Sequence, residues 1–258
     1  MTIADERSRE ALSKVPEITI WFWIVKVLCT TVGETFADYV NETLGFGLTN
    51  TTILMAGLLG AVLWWQFATR GYIPFVYWMV VVLVSIVGTL ATDNLTDRFG
   101  VDLKISTTVF AVLLGLVFVW WHRSEGTLSI HSIRSTRPEV FYWLTILLTF
   151  ALGTAAGDLV SEQFDLGFGR AILLFAGAIM LVVVAHFVVK VNGVLTFWIA
   201  YVLTRPLGGS IGDYLSQSRD DGGIGWGTTI TSVTFLTVIF LVVVYLTFGK
   251  QKSVSRSD

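Results

Sequence analysis

"FWIVKVLCTTVGETFADYVNE", residues 22–42, recurs three times further along the chain. Its counterparts are "YWMVVVLVSIVGTLATDNLTD" (77–97), "YWLTILLTFALGTAAGDLVSE" (142–162) and "FWIAYVLTRPLGGSIGDYLSQ" (197–217), and they align without a gap. Each copy reads aromatic-Trp, nine residues, Gly, four residues, Asp, three residues, then an acid or Gln. The shared columns are Trp23, Trp78, Trp143 and Trp198; Gly33, Gly88, Gly153 and Gly208; Asp38, Asp93, Asp158 and Asp213. The last column holds Glu42, Asp97, Glu162 and Gln217. Four matched positions in four copies are not a chance event.

Each copy is also long and apolar enough to cross a bilayer, which takes about 20 mostly apolar residues. Of the 258 residues, 54% are hydrophobic and 14% charged, and the mean hydropathy is +0.72. That describes an all-α polytopic membrane protein in contact with the lipid bilayer. Eight segments qualify as spans: roughly 18–40, 50–68, 74–94, 105–122, 139–160, 168–187, 191–214 and 228–248. Three even spans open on a threonine pair, Thr51-Thr52, Thr107-Thr108 and Thr228-Thr229. The repeat is therefore a helical hairpin, with copies at about 18–70, 73–122, 138–188 and 191–248 inside one transmembrane domain, 18–248. A hairpin crosses twice, so all four copies point the same way; they are parallel repeats about an axis along the membrane normal. The odd spans carry the shared polar positions and are expected to form an inner ring.

Lys and Arg set orientation. With eight spans, both termini share a side with the loops after spans 2, 4 and 6, and that side holds eleven of these residues against four on the other. The segment 1–17 and the tail 249–258 are therefore expected in the cytoplasm, and the location is expected to be a bacterial cytoplasmic membrane. The polar segment 1–17 lacks the pattern of a cleaved signal and reads as an amphipathic lead-in. Nine of the ten tryptophans fall near the inner ends, a lopsided distribution for an interfacial belt. Net charge is −2, which argues against a nucleic-acid partner. One cysteine, Cys29, excludes a disulfide framework.

The charges inside the spans carry the functional reading, because each costs free energy in hydrocarbon unless paired or wet. At 1.5 Å per residue, Asp38 sits about 12 Å beyond the middle of span 1, near the outer edge of a core about 15 Å in half-thickness. Four aspartates at one depth around an axis repel unless a cation or shared protons neutralise them. Three in-span residues break the repeat. Glu34 aligns with Thr89, Thr154 and Gly209; Lys26 with Val81, Ile146 and Tyr201; Arg205 with Thr30, Ser85 and Phe150. Glu34 and Lys26 are two helical turns apart on one strip, so they are expected either to pair or to couple substrate binding to an internal cation. Arg205 precedes Pro206, which is expected to break or kink span 7. The cation ligands expected are Glu34, Asp38, Asp93, Asp158 and Asp213, with Lys26 and Arg205 as coupling or gating groups. Glu42, Asp97, Glu162, Thr30 and Thr204 are secondary. The histidines, His122, His131 and His186, all lie at the cytoplasmic ends, which disfavours a membrane zinc hydrolase. No nucleophile appears with a base nearby, so no enzyme is expected.

The stretches "KVPEITIWFWIVKVLCTTVGETFADYVNETLGFGLT", "VSIVGTLATDNLTDRFGV", "FALGTAAGDLVSEQFDLGFG" and "WIAYVLTRPLGGSIGDYLSQ" resemble a bacterial family of uncharacterised, membrane-anchored, multi-pass proteins. The resemblance covers nearly all of the chain after residue 14 and implies a membrane location. "VGETFAD" also has a looser likeness to manganese and calcium exporters built from repeated acidic-Gly-Asp membrane motifs, with the order changed and the repeats parallel. Together with the oxygen ligands, this gives the expectation of a transporter exporting a hard divalent cation, manganese first, that needs no cofactor and possibly assembles as a homo-oligomer. Two alternatives stand beside it: a proton-coupled transporter of a small organic cation or amphiphile, and a non-transporting membrane scaffold or sensor.

Overall fold

The computed structural model describes residues 13–254, and their regular structure is entirely helical. Most of the expected lead-in, residues 1–12, and the end of the expected tail, 255–258, lie outside the described residues. Eight long helices run in chain order: α1 Ile20–Asp38, α2 Leu48–Ala68, α3 Pro74–Asp93, α4 Leu103–Glu125, α5 Thr136–Asp158, α6 Phe168–Phe187, α7 Gly193–Ser216 and α8 Gly227–Val254. All eight are long and apolar enough to span a membrane. Local signals set their ends. Thr19, Asp102 and Asn192 cap α1, α4 and α7 by accepting backbone N–H bonds from the first turn. Pro74 opens α3, where its missing N–H costs nothing. Gly126, at φ 73°, closes α4 in the left-handed conformation.

The odd helices form a closed ring. α1 packs on α3, α3 on α5, α5 on α7, and α7 returns to α1. Within their spanning windows 61–72% of residues are buried, against 11–22% for the even helices, so the even helices face lipid. The sequence unit and the packing unit are out of register by one helix. In the first three hairpins the two helices meet mainly at their connecting turn, and each even helix packs instead on the next odd one: α2 on α3, α4 on α5, α6 on α7. α8 completes the circle by packing on α1.

The repeated glycines close this ring by one contact used four times. A Cβ on Gly33 would overlap the Ser85 side chain; on Gly88 it would sit 2.6 Å from Phe150 Cβ, on Gly153 2.5 Å from Arg205 Cβ, and on Gly208 2.6 Å from Thr30 Cβ. Each glycine thus admits the neighbouring helix's residue from the column of Thr30, Ser85, Phe150 and Arg205. This is the small-residue packing that lets helices approach in lipid. Gly88→Ala should therefore lower stability by about 1–3 kcal/mol. Gly157→Ala, whose new Cβ meets its nearest atoms at an ordinary 3.5 Å, should be near neutral. Melting of both variants in detergent checks this, and equal melting temperatures would refute the close-packing account.

In the first three copies the α-helix stops at the repeated aspartate. Residues Tyr39–Thr43, Asn94–Arg98 and Leu159–Gln163 each widen into a π-helical turn. The loops after the first and third of these share one set of backbone bonds: Gly45 N–H to Glu42 O and Gly47 N–H to Asn41 O, then Asp165 N–H to Glu162 O and Gly167 N–H to Ser161 O. These positions need positive φ, which Gly45, Gly47 and Gly167 supply freely and Asp165 adopts at 54°. The change of helical period takes Glu42, Asp97 and Glu162 off the strip of the aspartates, and all three are exposed. The helical strip that carries Glu34 and Asp38 therefore does not continue to Glu42. α7 differs, since it stays α-helical to Ser216. It also runs unbroken through Pro206, contrary to the expected discontinuity.

The opposite end of the ring accounts for part of the lopsided tryptophan distribution. Trp78, Trp121, Trp143 and Trp198 are buried there with Phe22, Tyr77, Tyr142 and Phe197. These four form the core of a cap, while Trp21, Trp64, Trp65 and Trp120 are exposed on the outside of the bundle. Residues 13–16 and the 126–135 loop cross beneath them. Lys14 N–H bonds Ile133 O, Tyr72 N–H bonds Ser13 O, and Trp198 Nε1 donates to Leu128 O. The Lys14 ammonium is buried against Glu139 Oε2 at 2.6 Å and Phe67 O at 3.1 Å, while Gln66 Nε2 holds the other carboxylate oxygen at 2.9 Å. The 126–135 loop thus places Ile130 and Ile133 in the core.

Candidate functional site

Arg205 on α7 is fully buried, and its guanidinium joins all four inner helices. Its Nη2 lies 2.5 Å from Glu34 Oε2 on α1, 2.7 Å from Thr154 Oγ1 on α5, and in hydrogen-bond contact with Thr89 Oγ1 on α3. Two protons are shared among these three oxygens. Nη1 donates to Thr30 O on α1 at 3.4 Å. Both threonine hydroxyls donate back into their own helices, to Ser85 O and Phe150 O, which leaves their lone pairs for the arginine. The residues around the guanidinium are one column of the repeat: Glu34, Thr89, Thr154 and Gly209. Gly209 supplies the space, because a Cβ there would stand 2.8 Å from Nη1. The fourfold pseudo-symmetry of the sequence therefore converges on one cation.

This corrects the expected pairing of Glu34 with Lys26. Two turns of α1 separate Lys26 from Glu34, and its Nζ has no hydrogen-bond partner among the described residues. It lies between two rings, 4.1 Å from the centroid of Phe150 and 4.2 Å from that of Tyr201. Sequence reasoning missed the Arg205 cluster although its signal was present. The alignment already placed Glu34, Thr89, Thr154 and Gly209 in one column, one turn beyond the column of Arg205.

Toward the loops, the next column is the aspartates. Asp213 is buried, and Asp38, Asp93 and Asp158 are half-buried. Coulombic interaction links each of the four to Glu34, and links Asp38, Asp158 and Asp213 to Arg205. Thr30 Oγ1 donates to Val27 O and Thr204 O, and Thr204 Oγ1 donates to Tyr201 O, so both hydroxyl protons go to backbone carbonyls. Between α5 and α7 a crevice too narrow to hold a water molecule reaches the guanidinium. Glu34, Asp158, Asp213, Thr154 and Ser210 line it. Ser210 Oγ is buried there without a partner. Among the described residues, no three carboxylate, histidine or cysteine side chains converge closely enough to hold a metal ion in this conformation.

The fold and this axis define a multi-pass, all-helical membrane protein made of four parallel hairpin repeats around a buried ion pair. The chain belongs to the family described as Repeat of Unknown Function (DUF347), which matches it four times, at residues 21–72, 76–127, 141–192 and 196–252. No curated protein and no solved structure matches it.

Proposed function

We propose that this protein transports a hard divalent cation, manganese first, across a bacterial cytoplasmic membrane, and that Arg205 is a built-in cation which the substrate displaces from Glu34. The observation that carries this reading is the burial of Arg205 and Glu34 on the axis, directly beneath four aspartates. The aspartates supply a negative vestibule, and beneath it Glu34 balances the charge of the guanidinium. A divalent ion that draws Glu34, Asp158 and Asp213 together would replace the arginine's charge with its own. Oxygen ligands from carboxylates and the free Ser210 hydroxyl suit a hard ion. The crevice beside the guanidinium has no free volume for an organic ligand, which disfavours an organic cation or amphiphile. The scaffold reading keeps one point in its favour, because a guanidinium bonded to four helices is also a structural lock.

The test is manganese flux into proteoliposomes that contain the full chain, with Asp158→Asn compared at matched protein. Flux in the wild type that falls at least several-fold in the variant supports the reading. No flux in the wild type, with magnesium and calcium also inert, leaves the scaffold.

Orientation follows from the excess of Lys and Arg at the tryptophan end. That end is placed in the cytoplasm and the aspartates face outward. Leu44 is exposed in the first aspartate-side loop, and Cys29 is fully buried. Leu44→Cys in a Cys29→Ala background should react with a membrane-impermeant maleimide added to intact cells. Reaction only after the cells are opened would invert the orientation.

A further inference from the structure

Lys26 takes no part in the ion pair, and its surroundings set it apart from every other cation among the described spans. Its Nζ is buried and accepts no counter-ion. Phe150 and Tyr201 offer only their ring faces. Such faces attract a cation, but unlike a carboxylate they supply no negative charge to hold its proton. A charge held so loosely is one whose proton can leave. Tyrosine hydroxyls continue from this point toward the tryptophan end. Tyr201 OH is buried and unpartnered. Tyr142 and Tyr77, in the next layer, share a hydrogen bond of 2.5 Å. Tyr77 then stacks edge-on against Tyr72 at 5.6 Å, and Tyr72 OH accepts from Trp78 Nε1 at the end of the ring. The repeat placed two of these tyrosines in its aromatic column, where copies 1 and 4 have Phe22 and Phe197.

We propose that Lys26 is the proton-carrying group of this transporter, and that the string Tyr201, Tyr142, Tyr77 and Tyr72 leads its proton to the cytoplasmic face. This rests on the reading of the axis as a cation pathway. The ionisable neighbours of Lys26 are few. α7 presents Arg205 and Tyr201, α1 itself presents Cys29, α5 presents Tyr142 below the apolar Phe150, and α3 presents Tyr77. Arg205 is the other cation among them, one helical turn further along the axis. When a metal ion takes Glu34, the freed guanidinium is an uncompensated positive charge one layer from the ammonium. The ammonium then gives up one proton, its N–H bonding pair becoming the amine lone pair, and water at the cytoplasmic end accepts that proton. When the metal leaves outward, Arg205 returns to Glu34 and the amine takes a proton from the outer side. Metal export is thereby exchanged for inward proton movement.

The experiment uses the full chain in proteoliposomes with a trapped pH indicator. It records net manganese movement driven by a proton gradient, and manganese-for-manganese exchange without one. The wild type should do both. Lys26→Met should keep exchange within about twofold and lose at least tenfold of the proton-driven movement. Lys26→Arg, which retains charge but cannot release a proton, should do the same. The repeat itself tolerates Val81, Ile146 and Tyr201 in this column, so a folded Lys26→Met protein is expected, and its exchange activity reports the fold directly. Proton-driven movement that survives in either variant overturns the role of Lys26. Loss of exchange together with proton-driven movement also overturns it, because Lys26 is then needed for the metal step itself. A wild type that moves no manganese in either assay overturns the cation-pathway reading, and this proposal with it.

Discussion

Arg205→Gln should cost the fold more than any other single substitution in the inner ring. The substitution leaves Glu34 buried among four aspartates with no cation, and stranding one partner of a buried pair typically costs about 3–5 kcal/mol. It also leaves the hydroxyls of Thr89 and Thr154 without their shared donor. Glu34→Gln is the milder half of the pair. Arg205 then still interacts with Asp38, Asp158 and Asp213 and still bonds both threonines and Thr30 O. The double variant Glu34→Gln/Arg205→Gln should recover part of the loss, since it removes the stranded carboxylate. Arg205→Lys should not, because a lysine has no planar fork to reach three helices at once. Thermal unfolding in detergent ranks the four. If Arg205→Gln melts with the wild type, the guanidinium does not hold the ring together.

The architecture was written in the sequence because it depends on patterns that do not need partners to be read. Eight apolar runs give eight spans, and a gapless fourfold motif gives a ring. The glycines of that motif mark close approach whatever the order of the helices. What stayed hidden was the pairing across the ring. Lys26 and Glu34 share a helix and an i, i+8 strip, so a sequence argument reaches first for each other. The true partner of Glu34 lies 171 positions away and becomes visible only when α7 closes on α1. The same holds for the offset packing of even helices on the following odd helix, which hydropathy cannot reveal. The π-helical turns were hidden for another reason. The sequence repeats Asp and an acid four apart in three copies, which fits an α-helix equally well; the widened turn depends on how the following loop bonds back onto it.

The aspartates and Glu34 were selected from sequence by repetition and by its breach, and that distinction sets the second large effect. Asp38, Asp93, Asp158 and Asp213 are four copies of one group, so the loss of one weakens the site several-fold but leaves three to hold the vestibule negative. Glu34 has no copy. It is the only carboxylate bonded to Arg205, and in the proposed cycle it is the group that passes from guanidinium to metal. Glu34→Gln keeps the shape and one acceptor oxygen but cannot offer the metal a charge. A contact to a charged group contributes about 2 kcal/mol, roughly thirty-fold in occupancy, so manganese flux should fall to a few per cent of the wild type. Exposed Glu162 lies past the end of the α5 α-helix, in its π-helical turn, and Glu162→Gln should leave flux within about twofold. The measurement is initial manganese uptake by proteoliposomes, with each variant reconstituted at equal protein and shown by melting to be folded. A folded Glu34→Gln that moves manganese at the wild-type rate would mean that the carboxylate serves Arg205 alone. The axis would then be a lock with no cargo, and the four aspartates an outer rim that never meets a metal.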